Sequence, residues 1–183
     1  LLITTPQGHF LIDGAIPEAA TEIAQNIREL GFDPTDVRYL LNTHEHFDHS
    51  GGLAGLKRMT GAKMVARAEA KDALESGDVH PSDPQKGLFE PVEGVKVDQL
   101  IGDGEALTIG NQTLTAIATP GHSPGGTSWR WTSCENGKCL DIVYADSISA
   151  VSADEYRFSD HPEYVAPLRA TISKIAVIKP CDI

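Results

Sequence analysis

The residues best suited to chemistry are four histidines and one aspartate. Residues 44–49 read His-Glu-His-Phe-Asp-His, and His122 follows a Pro-Gly pair further along the chain. Imidazole and carboxylate groups are common ligands of catalytic zinc, and three imidazoles plus water leave one coordination position open. The pattern therefore predicts a metal centre at which a water molecule is made nucleophilic for hydrolysis.

The spacing suggests how the ligands divide between two ions. His44 and His46 are two residues apart, so on an extended segment both point to one face, where His122 can join them. Asp48 and His49 follow on the next turn and are predicted to hold a second ion. Asp48 is also the candidate catalytic residue, because its carboxylate could orient the attacking water or accept a proton.

The alternative is a set of histidines that cap a helix or lie exposed. That interpretation fits the three isolated histidines better: His9, His80 and His161. The Gly51-Gly52 pair favours a metal loop, because it permits close backbone approach at the point where a helix begins.

Periodicity predicts strands mixed with helices, which indicates a layered α/β architecture. Strands are predicted at residues 1–5, 9–13, 37–41, 63–66, 95–100, 106–109, 112–118, 127–132 and 140–145. Helices are predicted at residues 17–30, 53–60, 69–75 and 163–177. Residues 77–94 are polar, contain three prolines and are predicted to form a long functional loop.

Length and composition restrict the function. A chain of 183 residues with 40% apolar content suits one domain, which we assign to residues 1–183. The net charge of -11 disfavours nucleic acid as a partner, and no run of eighteen apolar residues predicts a membrane span. We expect a monomer that acts on a small molecule. We interpret the sequence as a fragment that is trimmed at both ends. A new strand is predicted to start at residues 180–183.

Two cysteines bracket a tight turn. Cys134 and Cys139 flank Glu-Asn-Gly-Lys, and an Asn-Gly pair favours a hairpin in which the two thiols face each other. A disulfide would indicate an oxidising compartment, whereas the alternative is two reduced thiols in a loop. Cys181 is left over.

Two motifs carry a resemblance to a known family. Residues 43–49 resemble the HxHxDH signature of the metallo-β-lactamase superfamily, and residues 119–126 resemble its next motif. The resemblance extends from Asp13-Gly14 to residues 181–183. It implies an αββα sandwich with two zinc ions in a groove at one edge.

The segment Tyr-Ala-Asp-Ser-Ile-Ser at residues 144–149 is similar to subclass B3 of the β-lactamases. That resemblance implies that Ser147 and Ser149 bind the carboxylate of a β-lactam, and that Gln85 contacts the substrate. The Cys134/Cys139 hairpin is also similar to some B3 enzymes. The alternatives are serines that satisfy backbone groups at a strand end and a glutamine that is merely solvated.

The resemblance implies an activity. It implies hydrolysis of penicillins, cephalosporins and carbapenems by a zinc-bound hydroxide, hence antibiotic resistance, in a periplasmic or secreted protein. The family's sixth ligand is a histidine beyond the position of Ile183, so the second site is expected to hold only Asp48 and His49. Full activity is therefore expected of the complete protein and not of this fragment. Ser147 would bind substrate rather than attack it, since no Ser-x-x-Lys signature is present.

Two alternatives remain open. A dinuclear hydrolase of the glyoxalase II (thioester) or lactonase type would bridge its metals with a carboxylate near Asp146. The second alternative is a non-catalytic protein with a structural zinc site, although such sites are closed and usually rich in cysteine.

Overall fold

Two β-sheets form the centre of the molecule. The computed structural model describes residues 1–179 and 181–183; Pro180, where the sequence predicts the start of a strand, lies outside the described residues. The first sheet has the order β1 (Leu2–Thr5), β2 (Gly8–Ile12), β3 (Val37–Leu41), β4 (Lys63–Ala66) and β5 (Gln99–Leu100). β1 and β2 form an antiparallel hairpin, and the remaining neighbours are parallel.

The second sheet is wholly antiparallel. Its order is β6 (Ala106–Ile109), β7 (Gln112–Ala118), β8 (Thr127–Glu135) and β9 (Lys138–Tyr144). β8 and β9 form a long hairpin in which Trp129 lies opposite Tyr144 at one end and Glu135 opposite Lys138 at the other. β8 therefore runs from the side of the predicted metal site to a distant tip.

Alternation along the strands separates two apolar cores. In β2, Phe10 and Ile12 point into the core between the sheets, where they meet Leu114 and Trp129 of the second sheet. Leu11 points the other way, into the core beneath the helices. The first four helices are α1 (Ala19–Glu29), α2 (Phe47–Ser50), α3 (Leu53–Thr60) and α4 (Ala68–Ser76).

The last helix, α5 (Pro162–Ile175), packs beside the second sheet. Leu168 and Thr171 are its buried residues, and the Thr171 hydroxyl donates a 2.6 Å hydrogen bond to the Pro120 carbonyl. The layers are therefore helix, sheet, sheet and helix, as predicted. None of the helices in the described part of the chain is both long and apolar enough to cross a membrane.

Several predicted strands differ from the structure at their ends, and two of these differences affect the elements near the candidate site. The strand predicted at 95–100 covers only Gln99 and Leu100, because the Val95 amide bonds to the Leu74 carbonyl and the Val97 amide to the Glu75 carboxylate. The strand predicted at 140–145 begins two residues earlier, at Lys138, and ends one residue earlier, at Tyr144. Ser147 and Ser149 lie beyond the end of this strand, so alternation along β9 does not orient the two side chains.

The predicted disulfide is confirmed. Cys134 and Cys139 lie opposite each other near the tip of the β8–β9 hairpin and are bonded, and both are exposed. At about 3.3 Å per residue, the tip lies roughly 25 Å along β8 from Thr127. The bridge therefore stabilises the second sheet at its far end.

Replacing both cysteines by serine should lower the free energy of unfolding by about 2 kcal/mol, because the bridge closes only a short loop in the unfolded chain. Urea denaturation of the double variant, compared with the parent under oxidising conditions, measures the loss. Zinc affinity should stay unchanged. A large fall in zinc affinity would contradict the separation of hairpin tip and metal site.

Candidate metal centre

The histidine segment begins where the two sheets meet. β3 ends at Leu41, and the next two residues bond to the second sheet: the Trp129 indole donates to the Asn42 carbonyl at 3.0 Å, and the Thr127 amide to the Thr43 carbonyl at 2.7 Å. These bonds fix the start of the segment against β8. The first predicted metal ligand, His44, is the following residue.

Glycines allow the backbone after β2 to contact the histidine segment closely. The Gly14 amide donates to the His49 carbonyl at 2.7 Å, and a Cβ added to Gly52 would lie 2.1 Å from the Gly14 carbonyl oxygen. No side chain fits in that space. The close approach predicted from the Gly51-Gly52 pair is therefore present, and it places the turn carrying His49 against the β2 end of the first sheet.

Three imidazoles converge at this junction. One ligand atom from each of His44, His46 and His122 lies within 4.8 Å of the others. Nδ1 of His46 is 3.1 Å from Nε2 of His122. All three residues are buried, with exposed fractions of 1%, 3% and 8%. The structure thus brings together the three residues predicted to share the first ion.

Two of these rings are held from outside by buried carboxylates. His44 Nδ1 is 2.9 Å from Asp146 Oδ1, and His46 Nε2 is 3.0 Å from Asp83 Oδ2. In both pairs the side chains are at most 4% exposed. The outer nitrogen of each ring is therefore occupied, and the other nitrogen is left to face the ion site.

The third ring is held by the backbone. His122 Nδ1 donates to the Ser149 carbonyl at 2.9 Å, which leaves Nε2 free. Burial, together with the neighbouring rings of His46 and His49, lowers the pKa of His122. Burial, together with the neighbouring rings of His49, His46 and His122, also lowers the pKa of His44. Both rings are thus neutral near pH 7, which is the form that binds metal.

Asp48 and His49 form a second group beside the first. His44, Asp48 and His49 each offer an atom within 4.8 Å of the others, and Asp48 Oδ2 is 3.8 Å from His49 Nε2. His49 Nδ1 is 3.1 Å from Asp13 Oδ2. Burial tends to lower the pKa of His49, but the hydrogen bond and charge of Asp13, with the charge of Asp48, raise it overall.

His44 belongs to both groups but has a single free nitrogen, because Asp146 takes the other. One imidazole nitrogen binds one ion. If the first ion takes it, Asp48 and His49 are the residues left for a second, as the sequence predicted. Asp48 is the most open of these ligands, with a side chain that is 54% exposed.

A buried glutamate joins the two ligand-bearing segments. Glu45 accepts hydrogen bonds from the Ser123 hydroxyl at 2.8 Å and the Gly125 amide at 3.0 Å. Burial raises the pKa of its carboxyl group despite these two donors. Since Glu45 lies between His44 and His46, the bonds set the distance from those ligands to the segment that carries His122.

The donor set fits zinc. Two ligands bound at 2.0–2.1 Å to a tetrahedral ion lie about 3.3 Å apart, close to the 3.1 Å between the facing nitrogens of His46 and His122. A hydrogen-bond acceptor on the outer nitrogen of each ligand histidine is also the usual arrangement in zinc proteins. Acceptors serve His44, His46, His49 and His122 in this way.

The three predicted substrate residues lie near the site. The Gln85 side chain is buried, with Nε2 3.2 Å from His46 Nδ1. Ser147 is half-buried and follows Asp146, while Ser149 is exposed and touches His122 through its carbonyl. The roles of the two hydroxyl groups stay predictions.

Sequence reasoning missed the outer partners. Asp83 lies in the long loop 77–94 and belongs to no motif, and Asp13 belongs only to the flank of the family resemblance. The sequence signal at Asp13 is the Asp-Gly pair, which favours a turn, and in the structure Asp13 has a positive φ of 64°. The isolated histidines lie elsewhere, because His9 packs on Phe32, His80 bonds to Ser82 and His161 stacks on Tyr156.

The chain is similar to known proteins in both sequence and fold. A family model described as the metallo-beta-lactamase superfamily matches residues 1–134. The metallo-β-lactamase MIM-1 from Novosphingobium pentaromativorans superposes with a TM-score of 0.95 at 48% identity, covering 100% of this chain and 67% of that one. MEM-A1, a subclass B3 metallo-β-lactamase from a soil metagenome library, superposes with a TM-score of 0.92 at 44% identity. The match covers 100% of this chain and 70% of MEM-A1.

A curated relative is described as a lactonase. An N-acyl homoserine lactonase, AttM of Agrobacterium fabrum, is 31% identical over 159 residues, which cover 70% of this chain and 57% of the relative. The chain thus spans little more than half the length of the first curated relatives that it matches.

Gly125→Ala should disrupt the junction between the two ligand segments. The added Cβ would lie 2.4 Å from Ala70 Cβ and 2.6 Å from Glu45 Oε2, so unfolding free energy should fall by about 1–3 kcal/mol and zinc affinity should fall with it. Gly102→Ala is the control, because its Cβ would meet nothing closer than 3.4 Å. Equal urea midpoints and zinc affinities for both variants would contradict the role of this junction.

Proposed function

The chain belongs to the metallo-beta-lactamase superfamily, and on that basis we propose that it opens the β-lactam amide of penicillins, cephalosporins and carbapenems. The superfamily and the B3 neighbours support a metal-dependent hydrolase. The observation that carries the finer proposal is the place of Asp146, which bonds to the outer nitrogen of His44 rather than facing the open side of the site.

The cofactor proposed is a pair of zinc ions. His44, His46 and His122 would hold the first ion, and Asp48 and His49 are the chain's ligands for the second. Zinc supplies Lewis acidity, which polarises a carbonyl group and makes water nucleophilic near neutral pH. The outer hydrogen bonds keep the three imidazoles of the first site in the orientation that this chemistry needs.

Asp48 is proposed as the catalytic residue. Its carboxylate is the most open group in the cluster and lies beside His49 Nε2. From that position it can accept a hydrogen bond from the attacking water, orient it, and take up the proton that the water loses. The proton is then available for the amide nitrogen when the ring C–N bond breaks.

Substrate binding is proposed for three residues that border the cluster. Ser147 and Ser149 are assigned to the carboxylate of the β-lactam, and Gln85 to a contact beside His46. Ser149 already approaches the site, since its carbonyl accepts from His122. Because the serines lie beyond β9, the segment after Tyr144 rather than strand alternation must orient them.

The alternative is a thioester or lactone hydrolase. The similarity to a lactonase favours keeping it, although at 31% identity that relative is more distant than MIM-1 at 48%. A lactonase-type site needs a carboxylate that bridges two metals near the end of β9. Asp146 is the candidate, but it is buried behind His44, where burial raises the pKa of its carboxyl group. This placement supports the lactamase.

Further proposals concern the protein's setting. We propose that residues 1–183 form a single metallo-hydrolase domain, because both sheets contribute to the core between them. The disulfide supports a periplasmic or secreted location. The acidic net charge supports a small-molecule substrate rather than nucleic acid, and we propose a monomer.

The function is tested with the purified full-length protein, supplied zinc and a chromogenic cephalosporin. We expect ring opening that a chelator abolishes and that serine-directed inhibitors leave unchanged. Thioester and lactone substrates are the comparison. Efficient cleavage of either of those, with no opening of the cephalosporin, would overturn the proposal in favour of the alternative.

Asp48→Ala should lower kcat at least about 100-fold, since a positioned acid–base group contributes on that scale. It should also weaken binding of the second zinc ion while sparing the first. Steady-state kinetics and zinc titration against a chelator measure both effects, and Asp72→Ala, an exposed residue of α4, is the matched control. An unchanged kcat would remove Asp48 from the mechanism.

A further inference from the structure

The long loop 77–94 reaches into the metal centre through one carboxylate. Asp83 is 3% exposed and its Oδ2 bonds to His46 Nε2 at 3.0 Å. The other two carboxylates that hold ligand rings stand next to strands: Asp13 directly follows β2, and Asp146 lies two residues beyond β9. Asp83 is therefore the one outer partner among these three that a loop supplies.

The loop is built to hold this carboxylate. The Gln85 amide donates to Asp83 Oδ1 at 2.8 Å, which closes a tight turn, and the Asp83 amide donates to the His80 carbonyl at 2.8 Å. The Tyr164 hydroxyl of α5 lies 3.5 Å from Oδ2. His46, the Gln85 amide and the Tyr164 hydroxyl thus provide hydrogen-bond partners for the buried carboxyl group, as burial of a polar group requires.

A second contact ties the same loop to the same ligand segment. The ring of Phe89 lies against that of Phe47, with centroids 4.3 Å apart, and Phe47 is the residue after His46. Both rings line a cleft with His46 and Gln85. The loop therefore contacts the His46–Phe47 segment at two points, one polar and one apolar.

We propose that Asp83 is a positioning residue that couples the order of loop 77–94 to metal binding at His46. With Nε2 bonded to Asp83, the imidazole keeps Nδ1 on the inner side of the site, turned toward His122 Nε2. A loop that moves away takes this partner with it and weakens the site. By linkage, an ion bound at His46 must stabilise the closed loop to the same degree. The inference rests on the metal site of the proposed function.

The test compares Asp83→Asn and Asp83→Ala with Asp72→Asn, the matched charge change on exposed α4. Zinc affinity is measured by chelator competition, and we expect a loss of about 10- to 100-fold for the Asp83 variants, larger for alanine, and less than twofold for the control. Far-UV circular dichroism and thermal melting of each variant confirm that it folds.

A second measurement follows the loop itself. Zinc should slow amide hydrogen exchange in residues 83–89 of the parent, and Asp83→Asn should abolish that protection while exchange in β3 and β4 stays slow. Phe89→Ala probes the apolar contact in the same way, and we expect it to weaken zinc protection of the loop.

The outcomes separate the two proposals. Equal zinc affinities for parent and Asp83 variants, or zinc protection that persists without the carboxylate, would overturn the coupling alone. Normal zinc binding without β-lactam turnover would overturn the proposed function alone. A parent protein that bound no zinc would overturn both.

Discussion

The structure depends on one arrangement: each of the three histidines predicted to hold the first ion has one ring nitrogen bonded to an acceptor outside the site. Asp146 holds His44, Asp83 holds His46 and the Ser149 carbonyl holds His122. These bonds choose which nitrogen is free and which way it points. Because the three free nitrogens then face one another, a cation is the partner that satisfies them together.

Charge supports the same conclusion. Glu45, Asp83 and Asp146 are buried carboxylates within hydrogen-bonding reach of the ligand rings or their neighbouring segment. Burying several negative charges together is costly without a compensating positive charge. Burial raises the pKa of Glu45 and of Asp146, and divalent ions at the centre would offset this effect. The fold brings these acids together at the junction of its two sheets, which is where metal chemistry needs them.

The sequence predicted what depends on short spacing. His44, His46, Asp48 and His49 stand within six residues, and strands such as Val37–Leu41 and Lys63–Ala66 follow from apolar runs. It could not predict partners set by the tertiary fold, since 37 residues separate His46 from Asp83 and 102 separate His44 from Asp146. The sequence also could not predict where strands end. In residues 95–97 the amides bond to a helix end or a side chain, and the apolar run therefore does not form a strand.

The central claim is that the inner nitrogens bind an ion while the outer nitrogens keep their protein acceptors. A crystal structure of the protein grown with zinc, with anomalous data at the zinc edge, tests it most directly. We predict a peak bonded to His44 Nε2, His46 Nδ1 and His122 Nε2, with Asp146, Asp83 and the Ser149 carbonyl still on the opposite nitrogens. A peak elsewhere, or rings turned so that an outer nitrogen binds the ion, would contradict the account.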